Sequence, residues 1–219
     1  MAEEFNNGNI DDWNELMLIY TAALKQIGTK IEILNDEFQQ AHSYNPIEHV
    51  KSRLKSPESI VKKLRKHGLE STMENMVEHV NDIAGIRIIC SFTSDIYRIA
   101  DIISNQSDIR VVSVKDYIIF PKASGYKSYH MIVKTPVYLS DRIFDAKVEI
   151  QIRTVAMDFW ASLEHKMNYK FEGKAPDGLQ QELIDCAKIV WMLDEKMLQL
   201  NEEVQNYNLQ QEEKEEQEE

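Results

Sequence analysis

The sequence predicts one domain of the α/β (α+β) class, in which a mixed, partly antiparallel sheet is flanked by helices and extended by long N- and C-terminal helices. Heptad-like spacing of apolar residues near both ends predicts the long helices, and alternation of apolar and polar residues in between predicts strands. Some strands follow one another too closely for helical crossovers, which indicates antiparallel neighbours. A chain of 219 residues suits one domain with helical extensions.

The two ends of the chain carry the long helical patterns. The second pattern runs from residue 179 to about residue 207. We expect the two helices to be partners, either within one chain or between copies, a choice that periodicity leaves open. Segment 209–219 is rich in glutamate and is expected to be a disordered acidic tail. The first pattern runs from residue 11 to about residue 42, with an apolar stripe of Trp13, Met17, Tyr20, Leu24, Ile27, Ile31, Leu34 and Phe38.

Helix caps divide the middle of the chain. The dipeptides Asn-Pro at 45–46 and Ser-Pro at 56–57 each predict a helix start, and Gly68 ends the second of these helices. A capping box at 71–74 starts the next helix. The remaining patterns predict strands at 85–92, 109–118, 129–138 and 146–153, and helices at 94–105 and 154–170.

Charge and cysteine content limit the classes of function. The net charge of −12 disfavours a protein that coats DNA. Segment 51–68 is nevertheless basic, which indicates a compact anionic ligand. The sequence shows neither a signal-peptide pattern nor an apolar run of membrane-spanning length, so we expect a cytoplasmic protein without a membrane partner. Cys90 lies in an apolar strand-like run and Cys186 in a helical pattern, and both are expected to be buried thiols.

Two acidic residues form a candidate metal site. Alternation places Glu149, Gln151 and Arg153 on one face of strand 146–153, although a solvated strand face is the simpler interpretation of that pattern. Asp82 stands where a helix ends and a strand begins, and capping a turn is the more common role for such a residue. If Asp82 and Glu149 lie on adjacent strands, they form a two-carboxylate Mg²⁺ site suited to nucleotide phosphates.

Segment 121–130, PKASGYKSYH, combines groups that bind a nucleotide. Lys122, Lys127 and His130 can bind phosphate oxygens, and Tyr126 offers an aromatic face for a base. A flexible hairpin tip is the alternative that composition alone allows. The segment is not a P-loop, and the sequence contains no G-x-G-x-x-G motif. Together with the basic segment, it indicates phosphate transfer between two nucleotides.

Five motifs occur in order between about residues 45 and 175, flanked by a helical extension (1–44) and a C-terminal helix (176–208). They are RxKSxxSIxxK (53–63), DIAGIR (82–87), KxSGYxSxH (122–130), EIQIRT (149–154) and WxxxEHKxxYK (160–170). This set resembles the synthetase domain of RelA/SpoT-type (p)ppGpp synthetases. Within that family, the short chain is similar to the small alarmone synthetases of Firmicutes, to the RelP kind more than to RelQ.

The resemblance implies a nucleotidyltransferase-like sheet and a GTP pyrophosphokinase, in which the 3′-hydroxyl of GDP or GTP attacks the β-phosphorus of ATP and AMP leaves. It implies Mg²⁺ held by Asp82 and Glu149, with Glu149 also taking the hydroxyl proton. Arginine side chains would sandwich adenine, and Tyr126 would stack on guanine. The implied ATP-binding residues are Arg53, Lys55, Ser59, Lys63, Arg65 and Arg87. The implied GDP- or GTP-binding residues are Lys122, Ser124, Tyr126, Lys127, His130 and Gln151.

Asp158 departs from the RelQ pattern, which tends to have asparagine at this position. An ionised carboxylate can accept hydrogen bonds from both N1–H and the exocyclic amine of guanine. We therefore predict that Asp158 selects guanine over adenine. An acidic residue that is simply favourable near a helix N-terminus is the alternative.

The resemblance also implies a homotetramer, and the lack of a His-Asp dipeptide predicts synthesis without hydrolysis. Two other functions stay open at this point. One is a non-catalytic module that binds nucleotides or single-stranded RNA, although nothing in the sequence indicates RNA. The presence of both Asp82 and Glu149 argues against it, because stacking and phosphate binding need neither. The other is a helical scaffold, which would not account for the polar strand face.

Overall fold

A five-stranded mixed sheet forms the centre of the protein, and helices cover it. The computed structural model describes residues 10–42, 44–171 and 178–218. The fold has the predicted mixed α/β class with long terminal helices. Along the chain the elements are α1 (Ile10–Ala41), β1 (Ile47–Leu54), α2 (Pro57–Lys66), α3 (Met73–His79), β2 (Ala84–Cys90), α4 (Thr93–Ser104), β3 (Arg110–Asp116), β4 (Tyr129–Tyr138), β5 (Ile143–Thr154), α5 (Val155–Phe171) and α6 (Leu179–Glu218).

The strand order of the sheet is β1-β2-β5-β4-β3. Strands β2 and β5 are parallel, and the other three pairs are antiparallel. Gly85 on β2 lies opposite Glu149 on β5. Asp82 lies two residues before β2, so the fold brings the two predicted acidic positions to neighbouring strands.

One face of the sheet is buried against helices. Val148, Ile150 and Ile152 of β5 are fully buried, as the alternation in β5 requires. Helix α1 packs on four of the five strands, and α4 packs on β2 and β5. The buried stripe of α1 also includes Leu16 and Ala23, so it is wider than a heptad seam and suits a sheet surface. The two long helices are therefore not partners within the chain, because α6 packs on α5 and α4 instead.

The prediction of a helix after the Asn-Pro dipeptide is wrong, because segment 47–54 forms strand β1. The side-chain oxygen of Asn45 accepts a hydrogen bond from the backbone N–H of Ile47 at 2.9 Å, so Asn45 caps a turn that leads into a strand. Strand β1 then pairs with β2 along its length. Pairing with a neighbouring strand outweighs a local helix signal here.

Three smaller predictions also differ from the structure. Helix α3 starts one residue later than predicted, with Thr72 as the N-cap that accepts from the N–H of Asn75. The acidic segment predicted to be disordered is helical as far as Glu218, consistent with the high helix propensity of glutamate, glutamine and lysine. Cys90 is buried as predicted, whereas Cys186 is exposed because it lies on a solvent-facing side of α6.

Helix α6 leaves much of its apolar surface in solvent. Its exposed apolar residues are Ile189, Met192, Leu193, Met197, Leu200, Val204, Tyr207 and Leu209. Apolar surface of this extent indicates an interaction with another macromolecule. Within the described ranges, no helix has the length and apolar character needed to cross a membrane.

Candidate active site

Two rows of mainly polar side chains cross the face of the sheet opposite the core, and we call this face the polar face. Strand register produces the rows, because residues paired across strands point to the same side. The first row contains Lys51, Arg87, Gln151, His130 and Lys115. The second row contains Arg53, Gly85, Glu149, Ile132 and Ser113.

A cavity of ≈ 280 Å³ lies on the polar face around β1 and β2, and we call it the donor cavity. Arg53 lies across Gly85, since a Cβ built on this glycine would be 3.7 Å from Cγ of Arg53. Nη1 of Arg87 donates to Asp158 at 3.1 Å, while its buried Nε lacks a hydrogen-bond partner among the described residues. The cavity is lined by Lys51, Ser52, Arg53, Gly85, Ile86, Arg87, Glu149 and Gln151.

A second cavity of ≈ 230 Å³ lies on the same face toward β3 and β4, and we call it the acceptor cavity. Glu149 lines both cavities and therefore stands between them. Asp82 lines the acceptor cavity but not the donor cavity. The acceptor cavity is lined by Lys63, Asn81, Asp82, Ser113, Lys115, Tyr117, Lys122, His130, Ile132 and Glu149.

Asp82 is paired with two lysines. Its Oδ2 lies 2.5 Å from Nζ of Lys55, and its Oδ1 lies 2.7 Å from Nζ of Lys63. Burial raises the pKa of Asp82, but hydrogen bonds and charge from the two lysines outweigh burial and hold the pKa below its usual value. Asp82 is therefore ionised at neutral pH, and two predicted phosphate-binding lysines stand beside it.

Glu149 has a hydrogen-bonding neighbour at each carboxylate oxygen. Nδ1 of His130 lies 3.4 Å from Oε1, and Nε2 of Gln151 donates to Oε2 at 2.9 Å. Burial raises the pKa of Glu149, but the interactions with His130 and Gln151 lower it further, so the pKa lies below its usual value. The negative charge of Asp82 raises the pKa of Glu149, which indicates that the two carboxylates are close.

These two carboxylates fit a Mg²⁺ ion that is completed by substrate oxygens. Magnesium is commonly held by one or two carboxylates together with phosphate oxygens and water. Asp82 and Glu149 both open to the acceptor cavity, and both have lowered pKa values. Within the part of the chain that the structure describes, no group of three or more His, Cys, Asp or Glu side chains could hold a metal by itself. Binding of the ion would therefore depend on the nucleotide.

Segment 121–130 is a compact turn between β3 and β4. The backbone N–H of Gly125 donates to the carbonyl of Lys122 at 2.8 Å, and Gly125 has a positive φ of 92°. Nζ of Lys122 lies 4.7 Å from the ring centre of Tyr126 and 4.8 Å from that of Tyr117. Ser124 is half-buried in the same turn. Lys122 and Tyr117 thus line the acceptor cavity, whereas Tyr126 stands behind them and is not among its lining residues.

Helix α6 packs directly against this turn. A Cβ on Gly125 would lie 2.6 Å from Cβ of Ala187, so the two backbones meet closely. Nζ of Lys127 lies 4.2 Å from the ring centre of Trp191. Lys127 lines a third cavity of ≈ 510 Å³ with residues of α6 and is not brought together with Lys122 and His130. The structure thus separates Lys127 from the predicted phosphate-binding group.

Three other predicted residues have distinct positions. Ser59 and Arg65 are exposed on α2, outside the donor and acceptor cavities, and the hydroxyl of Ser59 accepts from Ser56 at 3.0 Å. Oδ1 of Asp158 accepts from Nη1 of both Arg87 and Arg153, each at 3.1 Å. Asp158 thus contacts Arg87 of the donor cavity but is not among the residues that line either cavity, and its carboxylate is bound to arginine.

Tyr117 and Arg153 are among the residues at the site that were absent from the predicted set. Tyr117 lines the acceptor cavity beside Lys122, and no pattern in the sequence distinguishes it. Arg153 is 4% exposed and is bound to Tyr126 in the turn. Strand alternation placed Arg153 on the polar face, but its partners come from distant parts of the chain.

Comparisons with known proteins relate nearly the whole chain to one family. The family described as "Region found in RelA / SpoT proteins" matches residues 52–174. The GTP pyrophosphokinase YwaC of Bacillus subtilis is 51% identical over 195 residues, which cover 89% of this chain and 93% of YwaC. The crystal structure of small alarmone synthetase 2 from B. subtilis has a TM-score of 0.80 at 49% identity, and the match covers 88% of this chain and 99% of the other. The crystal structure of small alarmone synthetase 1 from B. subtilis, bound to its product pppGpp, has a TM-score of 0.82 at 35% identity. This match covers 88% of this chain and 98% of the other.

Proposed function

The chain belongs to the family of RelA/SpoT proteins, and we propose that it is a GTP pyrophosphokinase that transfers the β,γ-pyrophosphate of ATP to the 3′-hydroxyl of GDP or GTP and releases AMP. The observation that carries this proposal is the position of Glu149, which lines both the donor and the acceptor cavity. A base that lines two neighbouring cavities suits a reaction between two bound nucleotides.

The donor cavity would hold ATP. Arg53 and Arg87 lie on adjacent strands, and their guanidinium planes can stack on the two faces of adenine. Burial and the charge of Arg153 lower the pKa of Arg87, and the carboxylate of Asp158 opposes that effect. Lys55 and Lys63, which pair with Asp82, would bind the phosphates of ATP.

The acceptor cavity would hold GDP or GTP. Tyr126 is the proposed platform for guanine, Lys122 and His130 are the proposed phosphate ligands, Ser124 is a further proposed contact, and Gln151 is a weaker candidate that would orient the ribose. We keep Asp158 as the proposed guanine selector. Because its Oδ1 already accepts from two arginines, guanine would be recognised by the remaining carboxylate oxygen or by displacement of one arginine.

Asp82 and Glu149 would hold Mg²⁺ in the substrate complex. The ion would neutralise negative charge on the transferred pyrophosphate. The protein itself contributes Lys55 and Lys63, which supply further positive charge at the same place.

Glu149 is the proposed general base. It would take the proton of the acceptor 3′-hydroxyl as the 3′-oxygen forms a bond to the β-phosphorus of ATP. The bond between the β-phosphorus and the α,β-bridging oxygen breaks, and that oxygen leaves with AMP. The proton passes from Glu149 to solvent, and the pyrophosphoryl group remains on the acceptor.

A product assay tests this function. Purified protein is incubated with ATP, GDP and Mg²⁺, and the nucleotides are separated by anion exchange. We expect AMP and a guanosine tetraphosphate in equal amounts. Glu149→Gln should abolish both products, whereas Asp145→Asn should not, because Asp145 lies on the same strand and is exposed beside Arg110. Folded protein that binds both nucleotides but yields neither product would favour the non-catalytic binding module instead.

We further propose that the protein forms a homotetramer. Support comes from the exposed apolar residues of α6, a surface that a second copy of the chain could bury. Light scattering coupled to gel filtration should give four times the chain mass. A monomer mass at micromolar concentration would refute this proposal without affecting the proposed reaction.

A further inference from the structure

Arg153 stands at the centre of the polar network between strand β5 and the turn at 121–130. Only 5% of its side-chain surface is exposed, and each guanidinium nitrogen has a hydrogen-bond partner. Nε donates to Ser128 Oγ at 3.2 Å, and Nη1 donates to Asp158 Oδ1 at 3.1 Å. Nη2 donates to Tyr126 Oη at 2.5 Å and to Gln151 Oε1 at 2.9 Å. The two hydrogens on Nη2 thus serve two different acceptors.

One of these hydrogen bonds determines the direction of the next. A guanidinium can only donate, so the hydroxyl of Tyr126 accepts from Arg153 and keeps its own proton to donate. The partner placed to accept that proton is Nε2 of His130, at 2.8 Å. An accepting Nε2 leaves the proton of the ring on Nδ1, which faces Oε1 of Glu149 at 3.4 Å. The first path therefore ends on one oxygen of the proposed base.

The second path ends on the other oxygen. Oε1 of Gln151 accepts from Arg153, which fixes the orientation of the amide and turns its nitrogen toward Glu149. Nε2 of Gln151 then donates to Oε2 of Glu149 at 2.9 Å. Arg153, Tyr126, His130, Glu149 and Gln151 form a closed ring of four hydrogen bonds and one polar contact, the 3.4 Å approach of His130 to Glu149, and we call it the arginine ring.

We propose that Arg153 is a positioning residue that orients the base Glu149 and the guanine platform Tyr126 at the same time. The inference rests on the proposed function, because it assigns those two roles to Glu149 and Tyr126. Arg153 does not touch the reacting atoms. It sets the amide orientation of Gln151 and the tautomer of His130, and through them it supports both oxygens of the carboxylate.

Arginine is required by this geometry, and lysine would not replace it. The four acceptors lie around one planar guanidinium, whereas an ammonium group is a single point with three donors on a shorter, flexible stem. Arg153→Lys keeps the positive charge and should leave the ring open. Two of the four acceptors, Tyr126 and Ser128, belong to segment 121–130, while Asp158 is the proposed guanine selector and Gln151 donates to the proposed base Glu149. The effect should therefore be larger for GDP than for ATP.

Steady-state kinetics test the inference. Arg153→Lys should lower kcat and raise KM for GDP, with a combined loss in kcat/KM for GDP of about 10- to 100-fold, the size expected when charge-assisted hydrogen bonds are lost. KM for ATP should change less than KM for GDP. Arg110→Lys is the matched control, because Arg110 is an exposed strand residue paired only with Asp145 in the described contacts. It should behave as the wild type.

The two paths provide an internal test. Tyr126→Phe keeps the ring but removes the hydroxyl, and Gln151→Leu removes the amide, so each interrupts one path. Each single variant should lose less kcat/KM for GDP than Arg153→Lys does. Adding Arg153→Lys to the double variant of Tyr126→Phe and Gln151→Leu should lower kcat/KM little further, because both paths begin at Arg153. Fully additive losses, or an Arg153→Lys enzyme with wild-type kcat and KM for GDP but a lowered melting temperature, would overturn the inference and assign Arg153 to packing alone.

Two further measurements do not depend on turnover. Calorimetric titration should show weaker GDP binding to Arg153→Lys and to Tyr126→Phe than to the wild type. Nitrogen-15 NMR should show the His130 ring protonated on Nδ1 in the wild type, with this preference lost in Tyr126→Phe. If the wild type made no tetraphosphate, the proposed function would fail, while these two results would still support or refute the arginine ring.

Discussion

Substitution of Gly125 by alanine tests whether the contact between α6 and the turn at 121–130 matters for acceptor binding. A Cβ at this position would lie 2.6 Å from Cβ of Ala187, closer than side-chain carbons approach in folded proteins, and φ of 92° disfavours any residue with a Cβ. Gly178 offers a matched control, because its φ is 87° and nothing lies within 4 Å of its Cβ position. Both alanine variants share the backbone cost, and Gly125→Ala alone has the steric conflict.

The magnitude follows from the difference between the two variants. Adopting a left-handed conformation costs an ordinary residue roughly 1–2 kcal/mol, and this cost is common to both. Overpacking adds about 1–3 kcal/mol at Gly125 only. If GDP binds only when the turn is packed on α6, a difference of about 1–3 kcal/mol raises KM for GDP about 5- to 150-fold relative to Gly178→Ala.

The assay is steady-state kinetics with GDP and ATP varied separately, combined with hydrogen exchange of segment 121–130. We expect KM for GDP to rise in Gly125→Ala, KM for ATP to remain within about twofold, and exchange of the turn to increase. The reasoning would be refuted if Gly125→Ala and Gly178→Ala had the same KM for GDP while the two proteins were equally folded.

Two other predictions follow from the structure. One thiol should react with a disulfide reagent in the native protein and two after denaturation, because Cys186 is exposed whereas Cys90 is buried with a raised pKa; two reactive thiols in the native state would contradict the burial of Cys90. Asp158→Ala should reduce the preference for GDP over ADP as acceptor, measured as the ratio of the two kcat/KM values, by about 10-fold or more. An unchanged ratio would show that Asp158 serves only to hold Arg87 and Arg153.

The sequence predicted those parts of the fold that depend on local pattern. Strand β4 was predicted with the bounds that it has, because alternation and the flanking turns agree there. Strand β1 was predicted as a helix, because the Asn-Pro signal is local while the pairing with β2 is not. Helix α6 was predicted to end near residue 207, because a run of acidic residues is typical of a disordered tail, whereas glutamate and glutamine also have high helix propensity.

The candidate site also contains residues that motifs predict and contacts that they do not. Asp82, Glu149, Arg53 and Arg87 could be proposed from motifs, and the sheet brings them to two cavities that share Glu149. The packing of segment 121–130 on α6 and the contacts of Arg153 could not be proposed from motifs. Trp191 contacts the turn across 64 residues of sequence, and the role of Arg153 depends on groups that three separate elements supply. Such contacts are set by tertiary packing, which single-sequence patterns do not specify.

The central claim is that an acceptor hydroxyl, deprotonated by Glu149, attacks the β-phosphorus of ATP. It is tested most directly with ATP that carries oxygen-18 in the α,β-bridge, with the products analysed by mass spectrometry. The account predicts that the label is retained in AMP and absent from the guanosine tetraphosphate, and that Glu149→Gln forms neither. Label in the guanosine product, or transfer of comparable rate by Glu149→Gln, would contradict it.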